Sequence, residues 1–416
     1  MDIPIENPMG AEYDPSTQVE FAPQEQEIID RMNRSVQMQL TAEEETPKPL
    51  LRMKHISHLD LDGYGATILS EILMKFYPDN STVLVTKNIL PNKLAQEMAD
   101  TFAQIDDYDM VVITDLAVNQ NVLNMIREHP QGHKIHVFDH HLTDVDALEP
   151  GMVVTENSPI HEGKLTCATE LYFDFIRHDR IYTMIHNPAI RKAISYFVEC
   201  IRVYDTFEFW PTRNLPEPQQ DIAHIDAPRL NTLFHIMDRE EFKDYIFKYI
   251  YSNNWERLTI STKSYPWVSK ILELENNKNM KYVESAIRRI VKIPLICTVY
   301  RGSAVHKLNY NTGVIYAERS SPLIANEALE RHTDLDICAV VSNNQVSLYT
   351  NKENVSACEI AKIFGGGGHA SAAGFTIPYI SASVFNMDHF ARILECAGNL
   401  TPGSIEFEDL DVTDTN

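Results

Sequence analysis

Apolar and polar positions fall into a regular pattern from about Met53 onward. Residues 55–57 predict a short strand, and after Gly63 the spacing of Ile68, Leu69, Ile72, Leu73 and Phe76 predicts an amphipathic helix. Residues 83–86 predict a second strand, and 92–105 a second helix with Pro91 near its first turn. A third strand is expected at 110–114, part of a third helix at 122–128 and a fourth strand at 135–138. Strand and helix alternate through short connections, which predicts an α/β fold: a parallel sheet with helices on both faces. Such sheets bind ligands beyond the carboxyl ends of their strands.

Between residues 166 and 247 the pattern turns largely helical, broken by Trp210-Pro211-Thr212 and a loop through Pro218. The polar run Asn276-Asn277-Lys278-Asn279 lies in a helix-rich connector. Strands return at 294–299, 313–316, 337–341 and 346–349, followed by a helix at 356–364 and then Gly365-Gly366-Gly367-Gly368-His369. The expected division is an acidic, poorly ordered extension (1–50), a parallel-sheet catalytic domain (51–240), a helical connector (241–292), a smaller α/β substrate domain (293–400) and an acidic tail (401–416). Within the extension, Ile28, Ile29 and Met32 are spaced for a short helix over 27–38.

Composition narrows the partners. The 416 residues carry 36 Lys and Arg against 59 Asp and Glu, a formal charge of −23. That balance argues against duplex nucleic acid and allows a small anionic substrate neutralised by metal ions. No run approaches the roughly 20 apolar residues of a membrane span. The amino-terminal residues Met1-Asp2-Ile3-Pro4-Ile5-Glu6 lack the pattern of a signal peptide. Six scattered cysteines (167, 200, 297, 338, 358, 396) form no CxxC and suggest neither a disulfide framework nor a zinc ribbon. The expectation is a soluble, reduced, cytoplasmic protein.

Chemistry gathers at the strand ends. The first strand runs into His58-Leu59-Asp60-Leu61-Asp62-Gly63, the third into Asp115 and the fourth into Asp139-His140-His141. One Asp after a strand is commonly a helix cap. Three strand ends delivering Asp and His to one sheet edge point to a multi-ligand metal site. In an extended chain His58, Asp60 and Asp62 would project to one side. Carboxylates with imidazoles suit Mn²⁺, Fe²⁺, Co²⁺ or Mg²⁺. His129, His133 and His136 precede the fourth strand's end and are read as non-ligands, Phe207 and Trp210 as core, Arg288 and Arg289 as a solvated face. The glycine run lets backbone N–H groups approach a phosphate, with His369 beside it.

These residues resemble the DHH phosphoesterase family: His-x-Asp-x-Asp-Gly, a second-motif Asp, Asp-His-His and a later Asp, taken as Asp205 in Val203-Tyr204-Asp205-Thr206. The stretch from Phe364 to Phe375 resembles the signature of the DHH-associated substrate domain, and the likeness covers roughly residues 53–378. The resemblance implies two divalent ions, Mn²⁺ first with Mg²⁺ or Co²⁺ as alternatives, that activate water and clamp the reacting oxygens. It implies that His58, Asp60 and Asp115 hold one ion, and Asp62, Asp115, His140 and Asp205 the other. Asp139 would orient His140, His141 would face the phosphate or leaving group, and Gly365, Gly366, Gly367, Gly368 and His369 would hold substrate away from the metals. Where many family members carry Ser-Leu-Arg-Ser, this chain has Ser347-Leu348-Tyr349-Thr350, so that Tyr349 stands in for an Arg and offers a stacking ring.

The activity implied is hydrolysis of short oligonucleotides to nucleoside monophosphates, as in the oligoribonuclease branch, by a protein free to form homodimers. The alternatives are a cyclic- or linear-dinucleotide phosphodiesterase, a phosphatase of 3′-phosphoadenosine 5′-phosphate and, in another class, a catalytically silent nucleotide-binding scaffold.

Overall fold

The computed structural model describes residues 51–376 apart from 77–81, 142–154, 158–159, 179–181, 183–184, 253–256, 302–303, 320 and 343–344. The candidate helix at 27–38, both acidic ends and residues 377–400 lie outside the described residues. The described residues open with β1 (Leu51–Ser57), α1 (Leu61–Met74), β2 (Thr82–Asn88), α2 (Leu94–Phe102), β3 (Met110–Thr114), α3 (Gln120–Glu128), β4 (Ile135–Asp139) and β5 (Thr155–Asn157). The helix expected at 92–105 is thus shorter, flanked by single 3₁₀ turns at Pro91–Lys93 and Ile105–Asp107.

These strands form one parallel sheet in the order β2-β1-β3-β4-β5. The chain leaves β1 for a neighbour on one side and later takes the other side with β3. The order reverses there, so the connections leaving the carboxyl ends of β1 and β3 run to opposite faces of the sheet and leave a crevice between them. Both faces of the sheet's inner strands β1, β3 and β4 are buried, whereas the edge strand β2 leaves Val83 and Val85 exposed. Ile56, Val111, Ile113 and Val137 pack with α2 and α3, whereas Met53, Val112 and Phe138 face α1 and two later helices, α4 (Ala168–Arg177) and α5 (Pro188–Asp205). A small hairpin, β6 (Ile160–His161) and β7 (Lys164–Leu165), precedes α4.

Three more helices follow, α6 (Ile222–Ile236), α7 (Arg239–Tyr251) and α8 (Val268–Ile287). The second lobe holds β8 (Val291–Arg301), β9 (Ala304–Tyr316), α9 (Ser321–Arg331), β10 (Ile337–Ser342), β11 (Gln345–Tyr349), α10 (Ala357–Ile363), β12 (Gly367–Gly368) and β13 (Ala372–Thr376). Its sheet is mixed, ordered β12-β13-β11-β10-β9-β8, with only β9 and β10 parallel. Strand β9 starts well before the apolar run at 313–316, because Asn309 and Asn311 pair with Ile296 and Pro294 of β8. Helix α8 serves both lobes: Val268 and Leu272 join the first core, Val283, Ala286 and Ile287 a core of the second.

A polar chain runs beneath the crevice. Fully buried His55 meets Ser70 Oγ at 2.8 Å through Nδ1 and Thr114 Oγ1 at 2.9 Å through Nε2, and Ser70 in turn meets Tyr172 Oη at 2.7 Å. These contacts tie β1, α1, β3 and α4 together. Burial drives the His55 imidazole from 6.5 down to about 3, so the folded protein holds it neutral. The unfolded chain then takes up more protons as pH falls. The stability this contributes is complete above 6.5 and is lost progressively below it. Lowering the pH from 7.5 to 5.5 is therefore expected to cost the wild type about 1.4 kcal/mol more than His55→Gln, which keeps two polar atoms but does not titrate. Urea unfolding of both proteins at the two pH values measures this, and equal losses would refute it.

Candidate metal centre

The motif at the end of β1 is not extended. The strand stops at Ser57, Asp60 caps α1 by accepting from Gly63 N–H at 3.1 Å, and Asp62 already sits in the first helical turn. The alternation expected of His58, Asp60 and Asp62 gives way to a tight strand-to-helix turn. Gly63 permits it, since a Cβ there would lie 2.4 Å from the His58 carbonyl oxygen. The turn still gathers the three side chains, and Asn88 at the end of β2 holds it by donating to the same His58 oxygen at 2.6 Å.

Asp115 lies at the centre. It follows β3 in a left-handed conformation (φ 55°), unusual for any residue with a side chain and least costly for Asn or Asp. Its Oδ2 is 3.5 Å from His58 Nδ1 and its Oδ1 is 3.5 Å from His140 Nε2. His58 Nδ1 also meets Asp60 Oδ2 at 2.8 Å. His140 Nε2 lies 3.4 Å from Asp205 Oδ2 and 3.8 Å from Asp62 Oδ2. Among the described residues, four groups of ligating side chains lie close enough to share an ion. Two of them, His58–Asp60–Asp115 and Asp62–His140–Asp205, each have one Asp115 oxygen turned toward them. The others are Asp115–Asp139–His141 and His140–His141–His369.

Asp62 is held by an element the sequence did not single out. The amino end of α4 donates Ala168 N–H to Asp62 Oδ2 and Thr169 N–H to Oδ1, both at 2.8 Å, and Thr169 Oγ1 donates to the Asp62 carbonyl. A buried carboxylate is well placed at a helix amino terminus. The only sequence signal for this is the helix start after Thr166. Asp205 ends α5, and the chain there closes by Phe207 N–H to Tyr204 O and Glu208 N–H to Val203 O, with Phe207 left-handed at φ 60°. Asn231 of α6 donates to Tyr204 Oη at 2.7 Å, another partner that periodicity alone could not mark. Asp60, Asp62, Tyr204, Asp205 and Asn231 line a small cavity here.

One assigned pairing changes. Asp139 meets His141, not His140: its Oδ1 lies 2.7 Å from His141 Nδ1. Asp139 ends β4 fully buried, and the His141 ring folds back onto it, leaving His140 to reach the carboxylates. Burial would raise the Asp139 carboxyl, but the hydrogen bond and charge of His141 outweigh it and hold the group below its ordinary value.

The glycine run differs from a simple phosphate cradle. Gly365, Gly366 and His369 already donate their N–H groups to Lys362 O, Ala361 O and Ala372 O. Gly367 and Gly368 form β12 against β13, so close that a Cβ on Gly366 would lie 2.1 Å from the Gly374 oxygen, and Gly368 has φ 137°. Glycine is required here for packing and for positive φ. The loop's side chain is His369, whose ring centroid lies 5.3 Å from that of His140 and 5.4 Å from that of His141. It stands at the Asp–His cluster rather than away from it. Tyr349 packs half-buried against the α8–α9 core of the second lobe.

The residues fit divalent cations. Asp115 Oδ2, Asp139 Oδ2 and Asp205 Oδ2 are buried without a hydrogen-bond partner. Such oxygens are costly unless a donor or a cation meets them. Burial, with the charges of Asp60 and Asp62, raises the Asp115 carboxyl well above its ordinary value. Burial and the charges of Asp62 and Asp60 push Asp205 up to about 7 against the pull of His140. His58 moves the other way: burial would lower it, yet Asp115 and Asp60 raise it to about 10.

No protein-family model matches the chain. Oligoribonuclease NrnB of Bacillus subtilis is 29% identical over 335 residues, 78% of this chain and 73% of that protein. A 3′,5′-cyclic-nucleotide phosphodiesterase of Helicobacter pylori is 23% identical over 375 residues, 84% of this chain and all of that protein. The crystal structure of exonuclease RecJ bound to manganese aligns at 15% identity over 87% of this chain and 95% of that one, with a TM-score of 0.48. Over most of its length the chain is thus similar to proteins named an oligoribonuclease and a cyclic-nucleotide phosphodiesterase, in keeping with the resemblance of its motifs to the DHH phosphoesterases.

Asp115→Asn tolerates the left-handed backbone but removes the shared charge. It is expected to lower Mn²⁺ affinity by at least about tenfold, while the metal-free variant melts no lower than the metal-free wild type. Calorimetric titration and thermal melts check both, and wild-type affinity would refute the shared role.

Proposed function

We propose that this protein is a metal-dependent phosphodiesterase that hydrolyses short oligonucleotides to nucleoside monophosphates. The observation that carries the reading is Asp115, whose two oxygens face two separate His–Asp groups at the sheet's switch point. The relatives named an oligoribonuclease and a cyclic-nucleotide phosphodiesterase support a phosphoric-ester hydrolase. The proposed ligands are His58, Asp60 and Asp115 for one ion, and Asp62, Asp115, His140 and Asp205 for the other. Mn²⁺ is the proposed metal, with Mg²⁺ and Co²⁺ as alternatives, because carboxylate oxygens with imidazole nitrogens suit hard to borderline cations. Two bound divalent cations supply charge neutralisation and activation of water.

The chain's own groups do the rest. Asp62 is pinned by the amides of α4 and needs no rearrangement to act as a ligand. His141, fixed by Asp139, is aimed to hold a proton at the leaving oxygen, and that bond raises the imidazole against the lowering effect of burial. Burial first, then the charges of His140 and His141, lowers His369 to about 4, so in the free protein it is a neutral ring that can donate one N–H to a phosphate oxygen. The first lobe with residues 51–240 would be the catalytic domain, 241–292 the connector and 293–400 the substrate domain. A cytoplasmic setting and a homodimer complete the proposal. Among the described residues no helix is long and apolar enough to cross a membrane.

With Mn²⁺, kcat/KM is expected to be highest for RNA of two to five nucleotides among labelled RNA and DNA 2–5-mers and 30-mers, a cyclic dinucleotide, 3′-phosphoadenosine 5′-phosphate, a 3′,5′-cyclic mononucleotide and pyrophosphate. A clear preference for any other member assigns the site to that substrate instead. His369→Ala is expected to lower kcat/KM by about 10–150-fold, the loss of one hydrogen bond to a charged phosphate. Because His369 adjoins His140 and His141, a minimal aryl phosphodiester should suffer as much as a trinucleotide. Unchanged rates on both, with metal content and melting temperature preserved, would count against the contact.

A further inference from the structure

The segment just after Asp205 reaches across to the second lobe. Five residues past Asp205, Trp210 donates its indole N–H to Glu330 Oε1 at 2.7 Å. Arg213 donates to Glu330 through Nη1 at 3.1 Å and to Glu327 through Nη2 at 3.1 Å. Its guanidinium lies 3.6 Å from the centroid of the Trp210 ring, and Nη1 also returns to the Trp210 carbonyl at 2.8 Å. Both glutamates sit on α9, whose Ile324, Ala325, Ala328 and Leu329 are packed into a core beneath the second sheet. Glu327 is held on its other side by Arg331.

An exposed ion pair would contribute little. Here the Arg213 and Glu327 side chains are only 18% and 17% exposed, and the planar fork stacks on an indole that shares its carboxylate partner. This preorganised arrangement makes Arg effective in holding carboxylates. The near end is equally firm: Phe207, in its left-handed conformation, stacks on Trp210 with centroids 5.0 Å apart. Asp205 is thereby joined through one short, ring-packed turn to the lobe that carries His369.

We propose that Trp210 and Arg213 are positioning residues for phosphodiester cleavage: clasped to Glu327 and Glu330, they set the separation between Asp205 on one side of the crevice and His369 on the other. The proposal rests on the phosphodiesterase reading above. Neither residue touches the cluster, so the clasp acts on the gap between the lobes and leaves metal affinity alone.

The test uses full-length Arg213→Ala, Glu330→Gln and the double variant. Each single variant is expected to raise KM for a trinucleotide about tenfold with kcat within about threefold, and the double variant to be no worse than either single one. Mn²⁺ affinity should stay within twofold, and small-angle scattering should give a larger radius of gyration than the wild type. Additive effects, an unchanged KM or an equal radius would overturn the clasp. If the wild type turns over none of the substrate panel, the phosphodiesterase reading fails, and scattering alone decides: expansion in both single variants upholds a lobe-spacing clasp, equal radii refute it.

Discussion

The structure turns on the crowding of negative charge around one buried side chain. Asp115 shares its surroundings with Asp60, Asp62 and Asp205, and its carboxyl is raised well above the ordinary range by burial and by the charges of Asp60 and Asp62. A carboxylate cluster of this density is stable only when countered, and the chain supplies partial answers. The imidazoles of His58 and His140 approach it from two sides, and the α4 amides take up both oxygens of Asp62. At the cluster, Asp115 Oδ2, Asp139 Oδ2 and Asp205 Oδ2 are still buried without a hydrogen-bond partner. The parallel sheet, the switch point and the strained backbone at Asp115 all serve to hold charges closer together than they would settle unaided.

Much of the first lobe was legible because its inner strands are covered on both faces. Residues 110–114 and 135–138 are mostly apolar, broken only by Thr114 and His136, and each gave its strand within a residue or so. The candidate site was legible as strand-end Asp and His, since a carboxylate past three strands that neighbour one another in the sheet has no common structural reason. What could not be read was everything set by three-dimensional closure. The α4 amides approach Asp62 from more than a hundred positions away in sequence. Asp139 turned out to hold its second neighbour His141 instead of His140, a choice made by ring rotation that spacing does not encode. The glycine run was read for its free amides, yet pairing with β13 uses the backbone for packing. Strand β9 was read too short because its polar half is justified only by its partner strand.

Acidic bulk composition and an anionic substrate sit together comfortably in this arrangement. The excess negative charge of −23 disfavours long, phosphate-tracking contacts. The short substrate proposed above would need neutralisation only at the cluster itself, where the imidazoles gather and divalent cations would bind. Neutral His369, lowered to about 4 by burial and by its His140 and His141 neighbours, adds a donor at that point without adding charge.

Helix α8 has a consequence of its own. Its first turns are built into one core and its last turns into another, over twenty continuous residues. Neither half can fray without exposing apolar side chains of a lobe, so disorder begun in one lobe runs along the rod into the next. The two sheets, though separate in topology, thus share one continuous helix, and a lesion at either end of it reaches a core of a lobe.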